Sequence, residues 1–209
     1  MKKLFLKFAM FAAIVAIPAT MMVSCGTLKK QTVDAGVVIN GVKWATRNID
    51  EPGTFAATPE SAGKFYQWNR KKAWAAEGKT VKKWDNTYPE GTEWTAANDP
   101  SPAGWRVPTT EEQRTLLDTE KVTNEWTTQN GVSGRLFTDK TTGNSLFLPA
   151  AGRRYANGGT LNYAGSYGYY WSSTQYVSNY AYFLSFYSGY ADWGGNYRRS
   201  GLSVRAVAE

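Results

Sequence analysis

Tyr176, Tyr180, Phe183, Ser185, Tyr187, Tyr190, Asp192, Trp193, Asn196, Tyr197, Arg198 and Arg199 crowd together near the carboxyl end of the chain. Their chemistry suits contact, not turnover. Tyrosine offers a broad amphipathic ring at low entropic cost. Ser, Gly and Asn adapt their hydrogen bonds, and antibody-like paratopes use the same mixture. Eleven of the 13 tyrosines lie between Tyr155 and Tyr197, and no lysine follows Lys140. Tyr187, Tyr190 and Trp193 are candidate anchors. Arg198 and Arg199 are candidate donors of charge-assisted bonds. An aromatic-rich β core with turns would have the same composition, so both readings stay open.

The inventory excludes much else. The chain has no histidine and a single cysteine, Cys25. Serine triads, Cys–His pairs and His- or Cys-based zinc sites cannot be assembled from it, nor can an intrachain disulfide. Seventeen acids keep carboxylate-pair chemistry available. No catalytic, metal-ligating or cofactor-binding set emerges, and the expected class is a non-enzyme. The formal charge is +7, with 24 Lys+Arg against 17 Asp+Glu. Leaving out Lys2, Lys3 and Lys7 brings the cations to 21 and the balance to +4. The lysines at 64, 71, 72, 79, 82 and 83 read as a solvated basic face, not a nucleic-acid site.

The elements that must position the contact residues begin after a leader. Residues 1–24 read as an export signal, with Lys2 and Lys3 ahead of a short apolar run from Phe8 to Pro18. Met22-Val23-Ser24-Cys25 resembles a bacterial lipobox, which makes Cys25 the candidate lipidation site. Acyl chains there would hold the protein at a membrane surface without a spanning helix. The expected location is the cell envelope, at the outer membrane, with the leaflet left open. Residues 25–36 read as a polar tether.

The domain is expected over 37–209. Asn40-Gly41 between two apolar runs signals a tight hairpin, because both turn positions need positive φ. Ser61 to Trp74 reads as an irregular packed segment, and residues 75–100 as a long loop. Thr109 with Glu112 fits a capping box, and Leu116 and Leu117 supply a buried side, so a helix is expected over about 110–118. Leu136-Phe137 and Leu146 to Leu148 read as strands around a turn at 141–144. Period-two alternation along 180–187 sends Leu184 and Phe186 inward and Phe183, Ser185 and Tyr187 outward. Residues 190–199 are expected in the following loop. Tyr169, Tyr170 and Trp171 read as core, and Arg205 as a buried partner to an acid or a carbonyl. The fold class is α+β: strand-dominated, with one or two short helices and long irregular loops.

Several phrases line up with one family: Gly41 to Asn48, Tyr66-Gln67-Trp68-Asn69, Asp99 to Pro108, Leu148 to Gly152, Tyr170-Trp171-Ser172-Ser173, and Gly201 to Arg205. In order and spacing they resemble the Fibrobacter succinogenes major paralogous domain, over roughly residues 37–207. The resemblance implies a C-type-lectin-like fold, shared with formylglycine-generating enzymes and retroelement-diversified receptor proteins. Members often carry Cys where this chain has Ser101 and Ala206, and loss of such a bridge typically forfeits about 2–4 kcal/mol. Arg153 stands where an aromatic often follows Leu-Pro-Ala-Ala-Gly. The C-terminal stretch further resembles the variable region of diversity-generating retroelement targets, whose mutable codons never yield Lys, Glu, Gln, Met or Trp. Residues 176–208 contain none of the first four, and Trp193 is the exception. Residues 176–200 are therefore the candidate variable region.

Together with the lipobox, the resemblance implies a lipid-anchored binding protein, and its ligand is expected to be a protein or a glycan. A structural or adhesin-type envelope subunit with a fixed partner is the main alternative, and a glycan-binding lectin-like module another. Calcium-dependent sugar binding would need convergent oxygen ligands, and Trp84-Asp85-Asn86 matches a lectin triplet only loosely. Formylglycine-type chemistry would need a cysteine pair, which the domain lacks.

Overall fold

Asn40 and Gly41 have φ of 46° and 80°, and between them they reverse β1 (Val37–Ile39) into β2 (Val42–Trp44). This hairpin opens the part of the chain that the computed structural model describes, residues 33–209. The expected export signal, Cys25 and most of the tether lie outside the described residues.

Strands β3 (Lys64–Gln67) and β4 (Ala73–Ala75) come next, where an irregular segment was expected. A single 3-10 turn, Ala96–Asn98, interrupts the long loop before β5 (Trp105–Arg106) and α1 (Thr110–Thr115). β6 (Val122–Gln129), β7 (Val132–Asp139) and β8 (Ser145–Pro149) form a meander. β9 (Arg153–Arg154) and β10 (Leu161–Asn162) are two-residue strands. β11 (Gly168–Val177), β12 (Tyr180–Tyr187) and β13 (Tyr190–Tyr197) make a second meander. β14 (Gly201–Leu202) and β15 (Val207–Ala208) close the chain.

The strands form four sheets, ordered β1-β2-β15-β5, β10-β9-β14-β3-β4, β11-β12-β13 and β6-β7-β8. β15 pairs with β2 at Val207 and Trp44, so both ends of the described chain share a sheet. The fold is strand-dominated with one short helix among the described residues. The expected capping box is present: Glu112 N–H donates to the Thr109 hydroxyl and the Thr109 N–H to the Glu112 carboxylate. The helix stops at Thr115, short of the expected 118. Leu116 and Leu117 N–H groups reach back three residues to Gln113 and Arg114, a tightened last turn that ends the helix.

Three apolar clusters fill the interior. Trp68, Trp171, Tyr169 and Phe183 belong to the first, with Ala181 and Val204. Ile39, Trp44, Phe137, Tyr170, Leu184 and Phe186 belong to the second. Phe65, Trp74 and Trp84 make the third. The β11–β12 pair runs between the first two clusters, so its middle is buried on both faces. Several arginines are buried as well, and they bind backbone carbonyls. Arg205 donates to the Asn48 side chain (3.0 Å) and the Ala45 carbonyl (3.2 Å), as expected for a structural partner. Burial pushes its pKa down to about 10.

Asp34 anchors the domain three residues before the expected boundary. It accepts from the N–H groups of Gly36 (2.9 Å) and Thr46 (3.0 Å), and from Arg47 Nε (3.1 Å), with its side chain fully buried. Burial alone would raise its pKa, but the Thr46 and Gly36 N–H groups, the Thr46 hydroxyl and Arg47 together hold it below the usual value of 3.8. Its stabilising contribution is therefore present above that value and lost as pH falls through the lower folded value. Asp34→Asn is expected to cost about 3 kcal/mol at pH 7, because Arg47 loses its buried counter-charge. Urea unfolding should show the gap between wild type and variant narrowing at pH 3. A gap independent of pH would contradict this role.

Candidate binding surface

Two-residue connections, Ser178-Asn179 and Ser188-Gly189, fix the register of the β11–β13 ribbon. Tyr180 faces Tyr197, Tyr182 faces Gly195, Leu184 faces Trp193, and Tyr187 faces Tyr190. Directly opposed residues share a face and successive residues alternate. The expected contact residues therefore divide between two faces and do not form one patch.

The first face carries Tyr176, Tyr180, Tyr182, Trp193 and Tyr197. Tyr176 meets Tyr182 edge-on at 4.8 Å, and Tyr182 meets Trp193 at 5.5 Å. Gly195 makes room for this packing, since a Cβ there would lie 2.6 Å from the Tyr176 ring. The Arg114 guanidinium lies 4.3 Å from the Trp193 ring centre. Arg114 is placed by α1, which Gln113 ties to β11 through 3.0 Å bonds to the Tyr170 and Trp171 carbonyls. Further along, Tyr180 and Tyr197 lie 4.4 Å apart, and Arg199 covers Tyr88 at 4.6 Å. The neighbouring Tyr197 hydroxyl pushes the Tyr180 phenol up to about 12.

The second face carries Ser185, Tyr187, Tyr190 and Asp192. The Tyr190 hydroxyl donates to Asp192 Oδ2, which raises the Tyr190 phenol above its ordinary value. Asp192 Oδ1 accepts from the Trp193 N–H at 2.8 Å. Tyr163 and Tyr167, which lie outside the twelve candidate contact residues, extend this face. Tyr163 lies 5.1 Å from Tyr167, and Tyr167 5.1 Å from Tyr187. Arg135, also unassigned, holds the tip of the ribbon. Its Nη1 donates to the carbonyls of Tyr187 (2.8 Å) and Tyr190 (3.2 Å), and its Nε to Asn124 (2.6 Å). The turn is thereby tied to β6 and β7. Nothing local in the sequence announces a bond across 52 positions.

The anchors are not sealed in the interior: Tyr176 is 48% exposed, Tyr187 38%, Tyr190 49%, Trp193 39% and Tyr197 38%. Tyr180, Ser185, Asp192 and Arg199 are half-buried. Three of the expected contact residues are interior. Phe183, expected outward, is buried beside Tyr169 (5.9 Å) and Trp171 (6.4 Å), because the strand has core on both sides there. Asn196 is buried and accepts from the Ser200 hydroxyl at 3.1 Å. Arg198 is buried over Trp68 and donates to the carbonyls of Ser178, Glu90 and Gly91. The stretch expected as a loop after Tyr190 is instead the strand β13, paired along its whole length with β12.

Residues 123–207, which include the whole ribbon, match the family described as Domain of unknown function (DUF8237). No curated protein and no solved structure matches the chain. The matched segment runs from the β6–β7 hairpin through the ribbon to β15, so it includes Arg135 and the turn that Arg135 holds.

Clefts of about 390, 450 and 400 Å³ are lined by none of the twelve expected contact residues. Among the described residues no group of three or more Asp, Glu or Cys could hold a metal ion. Asp85, in the loose lectin triplet, is bonded to the Thr87 N–H and hydroxyl and to Arg70. No described helix is long and apolar enough to cross a membrane.

Proposed function

We propose that this chain is a lipid-anchored cell-envelope binding protein that presents aromatic contact faces on a C-type-lectin-like frame, with no reaction of its own. One observation carries the reading. Exposed tyrosines and Trp193 lie ring to ring on both faces of the ribbon, where an ordinary surface would carry Lys and Glu. Rigid aromatic rings with arginines stacked on them are the side chains that dominate binding energy. Arg135 fixes the turn in advance, which lowers the ordering cost of contact. Diversification fits the same layout. Tyr176, Tyr180, Tyr182, Ser185, Tyr187, Tyr190 and Tyr197 can change without opening the core, while Ala181, Phe183, Leu184 and Phe186 cannot.

The test uses full-length protein recovered from the membrane fraction in detergent and applied to a panel of glycans and envelope proteins. Tyr176→Ala with Trp193→Ala removes the first face, and Tyr187→Ala with Tyr190→Ala the second. At least one pair should weaken binding tenfold or more with the melting temperature unchanged. Cys25→Ser should move the protein to the soluble fraction. Across clones, variation should concentrate at the seven changeable positions named above. Binding indifferent to both pairs would remove the contact reading, and variation spread evenly over the chain would remove diversification.

A further inference from the structure

Arg153 lies beside the second face with its guanidinium over two phenol rings, 5.0 Å from the centre of Tyr169 and 5.7 Å from that of Tyr163. Its Nε is buried and has no acceptor. None of the ion pairs among the described residues includes it. Asp192, on the same face, is already engaged by the Tyr190 hydroxyl and the Trp193 N–H. A guanidinium seated over two aromatic rings and outside every ion pair among the described residues is set to receive a carboxylate through its planar fork.

From Arg153 the rings continue as a row. Tyr163 to Tyr167 is 5.1 Å, Tyr167 to Tyr187 5.1 Å, and Tyr187 to Tyr190 6.1 Å. Each step is close to the length of one hexose in a chain. The negative face of a phenol ring attracts the C–H face of a pyranose, by the same quadrupole that governs aromatic pairs. Peptide modes fit less well. On the ribbon the row runs across the strands, from Tyr187 of β12 to Tyr190 of β13, so no main-chain ladder extends along it. The clefts described above do not include these rings, and a helix would need a groove to lie in.

We propose that this row binds an acidic oligosaccharide, a hexuronate chain whose carboxylate sits on Arg153 while its sugar rings lie along Tyr163, Tyr167, Tyr187 and Tyr190. The assignment rests on the contact-surface reading and names its ligand class. The probes are tetragalacturonate, a hyaluronan tetrasaccharide, a neutral galactose tetrasaccharide and an acidic peptide, each titrated by calorimetry into full-length protein. An acidic tetrasaccharide should bind at least tenfold more tightly than the neutral one, and more weakly as salt rises. Arg153→Gln should remove that preference without changing the melting temperature, and Arg153→Lys should restore only part of it. Tyr187→Ala should weaken acidic and neutral sugars alike. No binding of either acidic sugar, equal binding of acidic and neutral chains, indifference to Arg153→Gln, or a preference for the peptide would each overturn the assignment. The contact-surface reading fails separately, if neither pair of aromatic substitutions changes binding of any ligand on the wider panel.

Discussion

Trp171→Ala is expected to cost about 5 kcal/mol of stability. Trp171 is fully buried in the first cluster, where its ring meets Phe183 and its Nε1–H donates to the Tyr66 carbonyl at 2.7 Å. Truncating a buried tryptophan costs about 3–5 kcal/mol through lost transfer energy and the cavity left behind. The orphaned Tyr66 carbonyl adds about 1–3 kcal/mol. Small domains hold only about 5–15 kcal/mol in total, so this variant should sit at the edge of folding. Trp171→Phe keeps most of the volume and loses the N–H, and should cost about 2 kcal/mol. Urea midpoints measure both. A loss below 2 kcal/mol for the alanine variant would mean that this ring does not tie β11 to β3.

Arg154→Met comes next in size, at about 4 kcal/mol. The side chain is fully buried, and its guanidinium donates to the carbonyls of Ala75 (3.0 and 2.9 Å), Lys79 (3.3 Å), Glu77 and Gly159 (3.1 Å). No carboxylate takes part. Bonds to a charged donor are worth about 1.5–3 kcal/mol each, and the carbonyl of buried Gly159 would lose its guanidinium partner. These bonds pin residues 75–79, at the start of a long loop, against β9. The loss should therefore be local first. Trypsin should cut after Lys79, Lys82 or Lys83 at least tenfold faster in the variant than in the wild type. Unchanged cleavage would show that other contacts hold the loop.

Wherever neighbouring residues decide the outcome, the fold was legible in the sequence. Asn40-Gly41 gave a hairpin because its φ values demand it, and Thr109 with Glu112 gave a capped helix. The strand pair around residues 141–144 and the burial of Tyr169 to Trp171 followed from apolar runs. Asn130-Gly131 carries the same turn signal, but β6 before it is polar on much of its length and masks the hairpin. Alternation failed at Phe183 because it assumes one solvated face, and β12 has core on both sides there. The division of the aromatic residues into two faces required register. The two-residue turns at 178–179 and 188–189 set that register, but they lack the Asn-Gly signature that made the first hairpin obvious. The partners of Arg135, Arg154 and Arg198 are carbonyls far away in the chain, which no local pattern encodes.

Trp193 also gives the molecule an optical property. Of the nine indoles, those at 44, 68, 74, 84, 94 and 171 are buried and those at 105 and 126 half-buried, while Trp193 is 39% exposed. A dissolved collisional quencher such as iodide or acrylamide will therefore reach this fluorophore before the others. Shielding of that emission component would report occupancy of the first face without any attached dye, and ligands held on the opposite side of the ribbon would leave it unaltered.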